Sequence, residues 1–142
     1  MKTVVLAIVV WCMPAVWVFA QETVKTENPN APEITFEKGL IHDFGTIEYK
    51  GKAEYDFVFT NTGKEPLIIT SCSASCGCTT PTCPKDQQIK PGEKGTVKVR
   101  YNNTHISGSF TKTVTIISNA KPSSVTITIK GVVAQKPEAA VN

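Results

Sequence analysis

Four cysteines fall within twelve residues of this 142-residue chain: Cys72, Cys76, Cys78 and Cys83, in the segment SCSASCGCTTPTCPK. Thiols this close in sequence can close as disulfides, ligate a soft metal, or exchange with other thiols. Four cysteines admit three pairings. Joining Cys76 to Cys78 closes a very short ring across Gly77, which invites strain, and leaves Cys72 for Cys83. The wider options are 72–76 with 78–83, and 72–78 with 76–83. The spacing does not choose among the three. For metal, an extended Cys76-Gly77-Cys78 puts both thiols on one face, within reach of a single Cu(I) or Zn(II) ion. The full spacing leaves three, one and four residues between successive cysteines. That is not the paired C-x-x-C pattern of tetrahedral zinc sites. A thioredoxin-like exchange enzyme needs C-x-x-C beside a helix in a βαβ unit, and neither is present. The expectation is disulfides and no cofactor. Copper or zinc at Cys76 and Cys78 is the alternative, and thiol–disulfide exchange comes third.

Little else in the chain invites chemistry. His42 and His105 are the two histidines. His42 precedes Asp43, an acid–base neighbour on paper, but the pair reads as a turn or strand edge. There is no G-x-S-x-G nucleophile turn and no H-E-x-x-H pair, so no catalytic residue is assigned and the chain is not read as an enzyme. Fifteen Lys and Arg stand against twelve Asp and Glu, a net charge of +3. The basic residues are scattered singly, without the stripe needed to neutralise several phosphates, which argues against nucleic acid. Asn102-Asn103-Thr104 formally matches a glycosylation acceptor but reads as a loop before Gly108.

The elements that would position the cysteines are strands. Tyr55, Phe57 and Phe59 alternate with Glu54, Asp56 and Thr60. Val97, Val99 and Tyr101 alternate with Thr96, Lys98 and Arg100. Val125, Ile127 and Ile129 alternate with Thr126, Thr128 and Lys130. Phe110, Val114 and Ile116 repeat the pattern, broken by Lys112. Shorter candidates are Glu33–Phe36, Leu40–Phe44 and Leu67–Cys72. Period two is the signature of a half-buried strand. At this spacing Tyr55, Phe57, Phe59, Tyr101 and Phe110 are core residues rather than a ligand box. Asn61-Thr62-Gly63, Lys90-Pro91-Gly92 and Ser118-Asn119-Ala120-Lys121-Pro122 supply turn chemistry between the runs. The fold class expected is all-β: an immunoglobulin-like antiparallel sandwich of two sheets and about seven strands.

Four segments organise the chain. Residues 1–20 read as a cleaved signal peptide: Met1-Lys2, an apolar run from Val4, and Val18-Phe19-Ala20 before the polar Gln21-Glu22. Cys12 follows Trp11, too large for the position before a lipoprotein cysteine, and reads as apolar filler. Residues 21–32 read as a flexible polar leader, 33–133 as the sandwich and 134–142 as a polar tail. No second apolar run follows, so no membrane span is expected after cleavage. Export also favours disulfides.

Taken in order, His42-Asp43-Phe44-Gly45, Phe59-Thr60-Asn61-Thr62-Gly63 with Pro66-Leu67, Ser75-Cys76-Gly77-Cys78-Thr79, Lys90-Pro91-Gly92 and Ser118-Asn119-Ala120 resemble a bacterial family called domain of unknown function 1573. The resemblance covers nearly all of Ile41 to Val133. It implies a β-sandwich, akin to modules of cilium-associated and sperm proteins, exported by Gram-negative bacteria to the periplasm or cell surface. It carries no established activity. It also implies that Cys76 and Cys78 act as a pair, with Cys72 and Cys83 as additions that clasp their loop. The function expected is a non-catalytic binding or scaffold module with a protein partner in the envelope or outside the cell.

Overall fold

In the computed structural model, which describes residues 28–138, the alternating runs become nine strands. They are β1 (Ile34–Phe36), β2 (Ile41–Ile47), β3 (Glu54–Asn61), β4 (Leu67–Ala74), β5 (Thr79–Thr82), β6 (Gln88–Ile89), β7 (Lys94–Tyr101), β8 (Gly108–Ser118) and β9 (Ser124–Val133). The signal peptide, residues 21–27 of the leader and residues 139–142 of the tail lie outside the described residues. One sheet has the order β1-β3-β7-β5 and the other β2-β9-β8-β4-β6. Among the described residues no helix is long and apolar enough to cross a membrane.

Alternation becomes burial. Phe57 and Phe59 of β3, Val97, Val99 and Tyr101 of β7, Val114 and Ile116 of β8, and Ile127 and Ile129 of β9 meet between the sheets, all buried. Each such side chain contributes about 1.5–3 kcal/mol when removed from water. Their intervening neighbours Lys98, Arg100, Thr126 and Lys130 stay exposed. Gly95 lies opposite Phe59 in the β3–β7 ladder. A Cβ at Gly95 would sit 2.3 Å from Phe59 Cζ, so the ring occupies the space a side chain would take.

Nine strands rather than about seven arise because β5 and β6 are four and two residues long and carry no period. Each exists because another strand offers it partners: β7 for β5, β4 for β6. One pair is parallel, β2 with β9. The chain leaves the first sheet after β1 and joins the second at β2, arriving beside β9 in the same direction.

Two irregularities set which side chains point inward. In β4 the register with β8 shifts between Ile69 and Ser71. Leu67 and Ile69 face the core before the bulge, and Cys72 and Ala74 pack against it afterwards. In β2 the register with β9 shifts between Asp43 and Thr46. Gly45 adopts φ +63° there, a conformation favouring glycine. Asp43 Oδ1 accepts a 2.8 Å hydrogen bond from Gly45 N–H, closing the bulge. The His42-Asp43-Phe44-Gly45 motif is thus a device for bending β2.

The asparagine motifs are knots of the same kind. Asn61 is fully buried. Its Oδ1 accepts from Glu33 N–H (3.4 Å) and Gly63 N–H (3.1 Å), while its Nδ2 donates to Glu65 O (2.8 Å) and Ile89 O (2.9 Å). Gly63 follows because a Cβ there would lie 2.4 Å from the backbone of Ala31 and Pro32. Residues 28–32, the end of the expected leader, run along this corner. Pro32 is buried, its carbonyl accepts from Lys121 N–H, and Asn28 Nδ2 donates to the Glu65 carboxylate. Asn119 ties the next corner, its Oδ1 accepting from Ile68 N–H and its Nδ2 donating to Pro66 O.

Candidate functional site

The cysteine segment spans the end of β4, the loop over Ser75–Cys78, and β5. Both disulfides are formed: Cys72 with Cys83 and Cys76 with Cys78. Of the three pairings open at the sequence level, this is the one with the tight ring. Tertiary pairing accounts for it. β5 is held by β7, and the chain then turns back along β4. Asp86 N–H donates to Ile69 O, and Lys85 forms a parallel bridge with Ile69. Cys83 thereby arrives beside Cys72, at a Cα–Cα distance of 6.5 Å. Cys76 and Cys78 are left to each other at the tip, 5.2 Å apart.

The two disulfides sit in different surroundings. Cys72, Cys83 and Cys78 pack against the core; Cys76 is not part of that contact. Gly77 is exposed, and a Cβ built on it would meet nothing within 4 Å. Thr79 is buried beneath the ring, its Oγ1 3.8 Å from Cys76 Sγ and 3.9 Å from Cys78 Sγ. The ring's carbonyls are both held: Cys76 O accepts from Thr79 N–H and Cys78 O from Asn102 N–H. Among the described residues no three or more His, Cys, Asp or Glu gather as a metal set.

His42 and Asp43 do not act together. They point to opposite faces of β2, as strand neighbours must. Asp43 turns outward to Gly45 N–H and to Lys130 Nζ at 3.3 Å. The Gly45 bond, followed by that lysine, holds its carboxyl below the usual range. His42 turns inward, stacked on Tyr55 at 3.5 Å between ring centroids and edge-on to Phe44 at 4.5 Å. Desolvation lowers its pKa below the ordinary 6.5, opposed by Asp43 and reinforced by Lys38. The native state therefore resists taking a proton that the unfolded chain accepts. This contribution is fully present above about pH 6.5 and shrinks as the pH falls towards the lower native value. Urea midpoints measured near pH 7.5 and pH 5.5 should drop more for the wild type than for His42→Phe; an equal drop would remove His42 from the acid response.

A second feature lies at the edge of β3, and nothing in the sequence signalled it. β1 covers β3 only as far as Phe36 opposite Phe59, after which Glu37 N–H donates to Val58 O. Backbone groups on a strand alternate sides, so those of Asp56 and Glu54 share the direction of the Val58 carbonyl. No strand among the described residues pairs with them there. Beyond this bare edge is a cavity of about 560 Å³, lined by Glu37, Lys38, Gly39, Glu54, Asp56 and Lys98 among others. Its acids are already engaged: Glu37 with Lys94, Glu54 with Lys52 and Arg100, Asp56 with Lys98. Lys38, Lys52 and Lys98 line the cavity against those three acids, while Lys94 and Arg100 reach Glu37 and Glu54 from outside it.

Two packed sheets, with β1 in one and β2 in the other, make this an immunoglobulin-like β-sandwich. The chain belongs to DUF1573, a family of proteins of unknown function, which it matches over residues 34–133. The same fold appears in a PapD-like domain of human CEP192, at 9% identity and TM-score 0.61, with 96% of this chain and 100% of that domain covered. A Porphyromonas gingivalis protein of unknown function matches at 16% identity and TM-score 0.65 over 78% of this chain. VesB protease of Vibrio cholerae matches at 17% identity and TM-score 0.56 over 72% of it. The chain spans 51% of the Porphyromonas gingivalis protein and 32% of the protease. At these identities the likeness is one of fold. No curated protein matches the chain.

Proposed function

We propose that the protein is a non-catalytic binding module outside the cytoplasm, and that it takes an extended, acidic segment of a partner protein as an added strand on the open half of β3. The bare edge carries this reading. The N–H and C=O groups of Glu54 and Asp56 offer a ready template for a further strand, and Lys38, Lys52 and Lys98 beside it can meet carboxylates on the incoming chain. A second copy of this chain suits the edge less well, because antiparallel self-pairing centred on Asp56 sets Asp56 against Asp56. Two disulfides support an oxidising compartment. So do residues 1–20, whose composition fits an export signal.

Seven-residue peptides alternating valine with glutamate are the probe, with valine–lysine peptides as the counterpart. The glutamate peptide should shift the amide resonances of Glu54, Asp56 and Val58, with the lysine peptide at least tenfold weaker. Asp56→Pro should abolish binding and leave the remaining spectrum in place, since the Asp56 N–H faces the open side and makes no ladder bond to β7. Shifts confined to other strands, or equal binding by both peptides, would overturn the reading. Location is tested separately by fractionation with rapid thiol trapping: the protein should be recovered outside the cytoplasm with all four cysteines oxidised.

A further inference from the structure

We propose that the Cys76–Cys78 disulfide is a thiol-exchange site, entered at Cys76, and that Cys72–Cys83 is the structural clasp that keeps the loop in place while the ring is open. The site would accept thiols of a partner protein. Four observations meet here. The ring stands at the tip of a loop, with open space around Gly77. Its two sulfurs differ, since Cys78 packs on the core and Cys76 does not, so an incoming thiolate reaches Cys76 more readily. The buried Thr79 hydroxyl lies within 4 Å of both sulfurs. It can donate to whichever becomes a thiolate. The backbone on both sides of the ring is held by Thr79 N–H and Asn102 N–H, independently of the sulfur bond. Cys76 and Cys78 are half-buried with the exposed Gly77 between them, and a disulfide that solvent can reach exchanges more readily than one sealed in a core.

A partner thiolate attacks Cys76 Sγ, and the Cys76–Cys78 bond breaks. Cys78 leaves as a thiolate beside Thr79 Oγ1 and takes a proton from water. The product is a mixed disulfide between Cys76 and the partner. A second partner thiolate then attacks the partner's own sulfur in that mixed disulfide and releases Cys76, which is protonated in turn. Two electrons have moved from the partner's dithiol to the Cys76–Cys78 pair, and the partner leaves as a disulfide.

Glutathione serves as the probe, so the outcome does not depend on the β3 edge. Under graded ratios of reduced to oxidised glutathione, alkylation and peptide mapping should find the Cys76–Cys78 ring open at conditions at least tenfold less reducing than Cys72–Cys83 requires, with the amide spectrum of the strands unchanged. In Cys78→Ser, Cys76 should form a mixed disulfide with oxidised glutathione at least tenfold faster than Cys78 does in Cys76→Ser. The proposal is overturned if both disulfides open together with loss of the fold. Equal rates in the two single variants would likewise overturn entry at Cys76, and both variants retain the clasp that keeps them folded.

Discussion

Asn61→Ala should lower the domain's stability by about 3–4 kcal/mol, read as a fall in the urea midpoint at unchanged slope. The wild-type side chain makes four hydrogen bonds to backbone, two as acceptor and two as donor. Truncation takes a donor from both Glu65 O and Ile89 O and frees the Glu33–Gly63 corner at the same time. A buried polar group left without a partner costs about 1–3 kcal/mol by itself. Asn61→Asp sharpens the test. It keeps the acceptor but turns a carboxylate oxygen towards Ile89 O and Glu65 O, so it should lose at least as much near pH 7. Asn119→Ala, at an exposed corner with two such bonds, should lose about 1–2 kcal/mol. A loss below about 1 kcal/mol for Asn61→Ala would mean that water replaces the side chain, and the knot would not be holding β1, β3 and β6 together.

The second large effect concerns the clasp. Replacing Cys72 and Cys83 together with alanine should cost about 3 kcal/mol in the oxidised protein. Replacing Cys76 and Cys78 together should cost about 1.5 kcal/mol. Chain entropy sets the order, because a bond across eleven residues of sequence removes far more freedom from the unfolded chain than one across two. Burial acts in the same direction, since both sulfurs of the clasp pack on the core. Denaturant unfolding of the two double variants decides the matter, and a reversed order would show that the tip ring, not the clasp, holds the loop.

Several motifs legible in the sequence proved to be structural fittings. Asn61, Gly63 and Asn119 were visible as turn residues, but the carbonyls they serve at Ile89 and Pro66 come from distant parts of the chain. Asp43 and Gly45 were visible as neighbours of a histidine; only the register with β9 shows that they bend β2 and send His42 inward. Cys72 belonged to a readable strand, yet the bulge at Thr70 decides which way it faces. The bare edge of β3 had no sequence signal, because it depends on where β1 stops covering it.

Alternating apolar residues determined the all-β class, the main strands and most of the core, because a strand's two faces are set by residue parity alone. The same cysteine spacing admitted three pairings. The tertiary structure decided between them by folding residues 83–86 back against β4, and it decided the parallel β2–β9 pair and the open half of β3 by moving the chain from one sheet to the other after Phe36. Those outcomes rest on which strands meet across long loops. That is a property of the closed sandwich, where partners far apart in sequence compete for the same backbone hydrogen bonds.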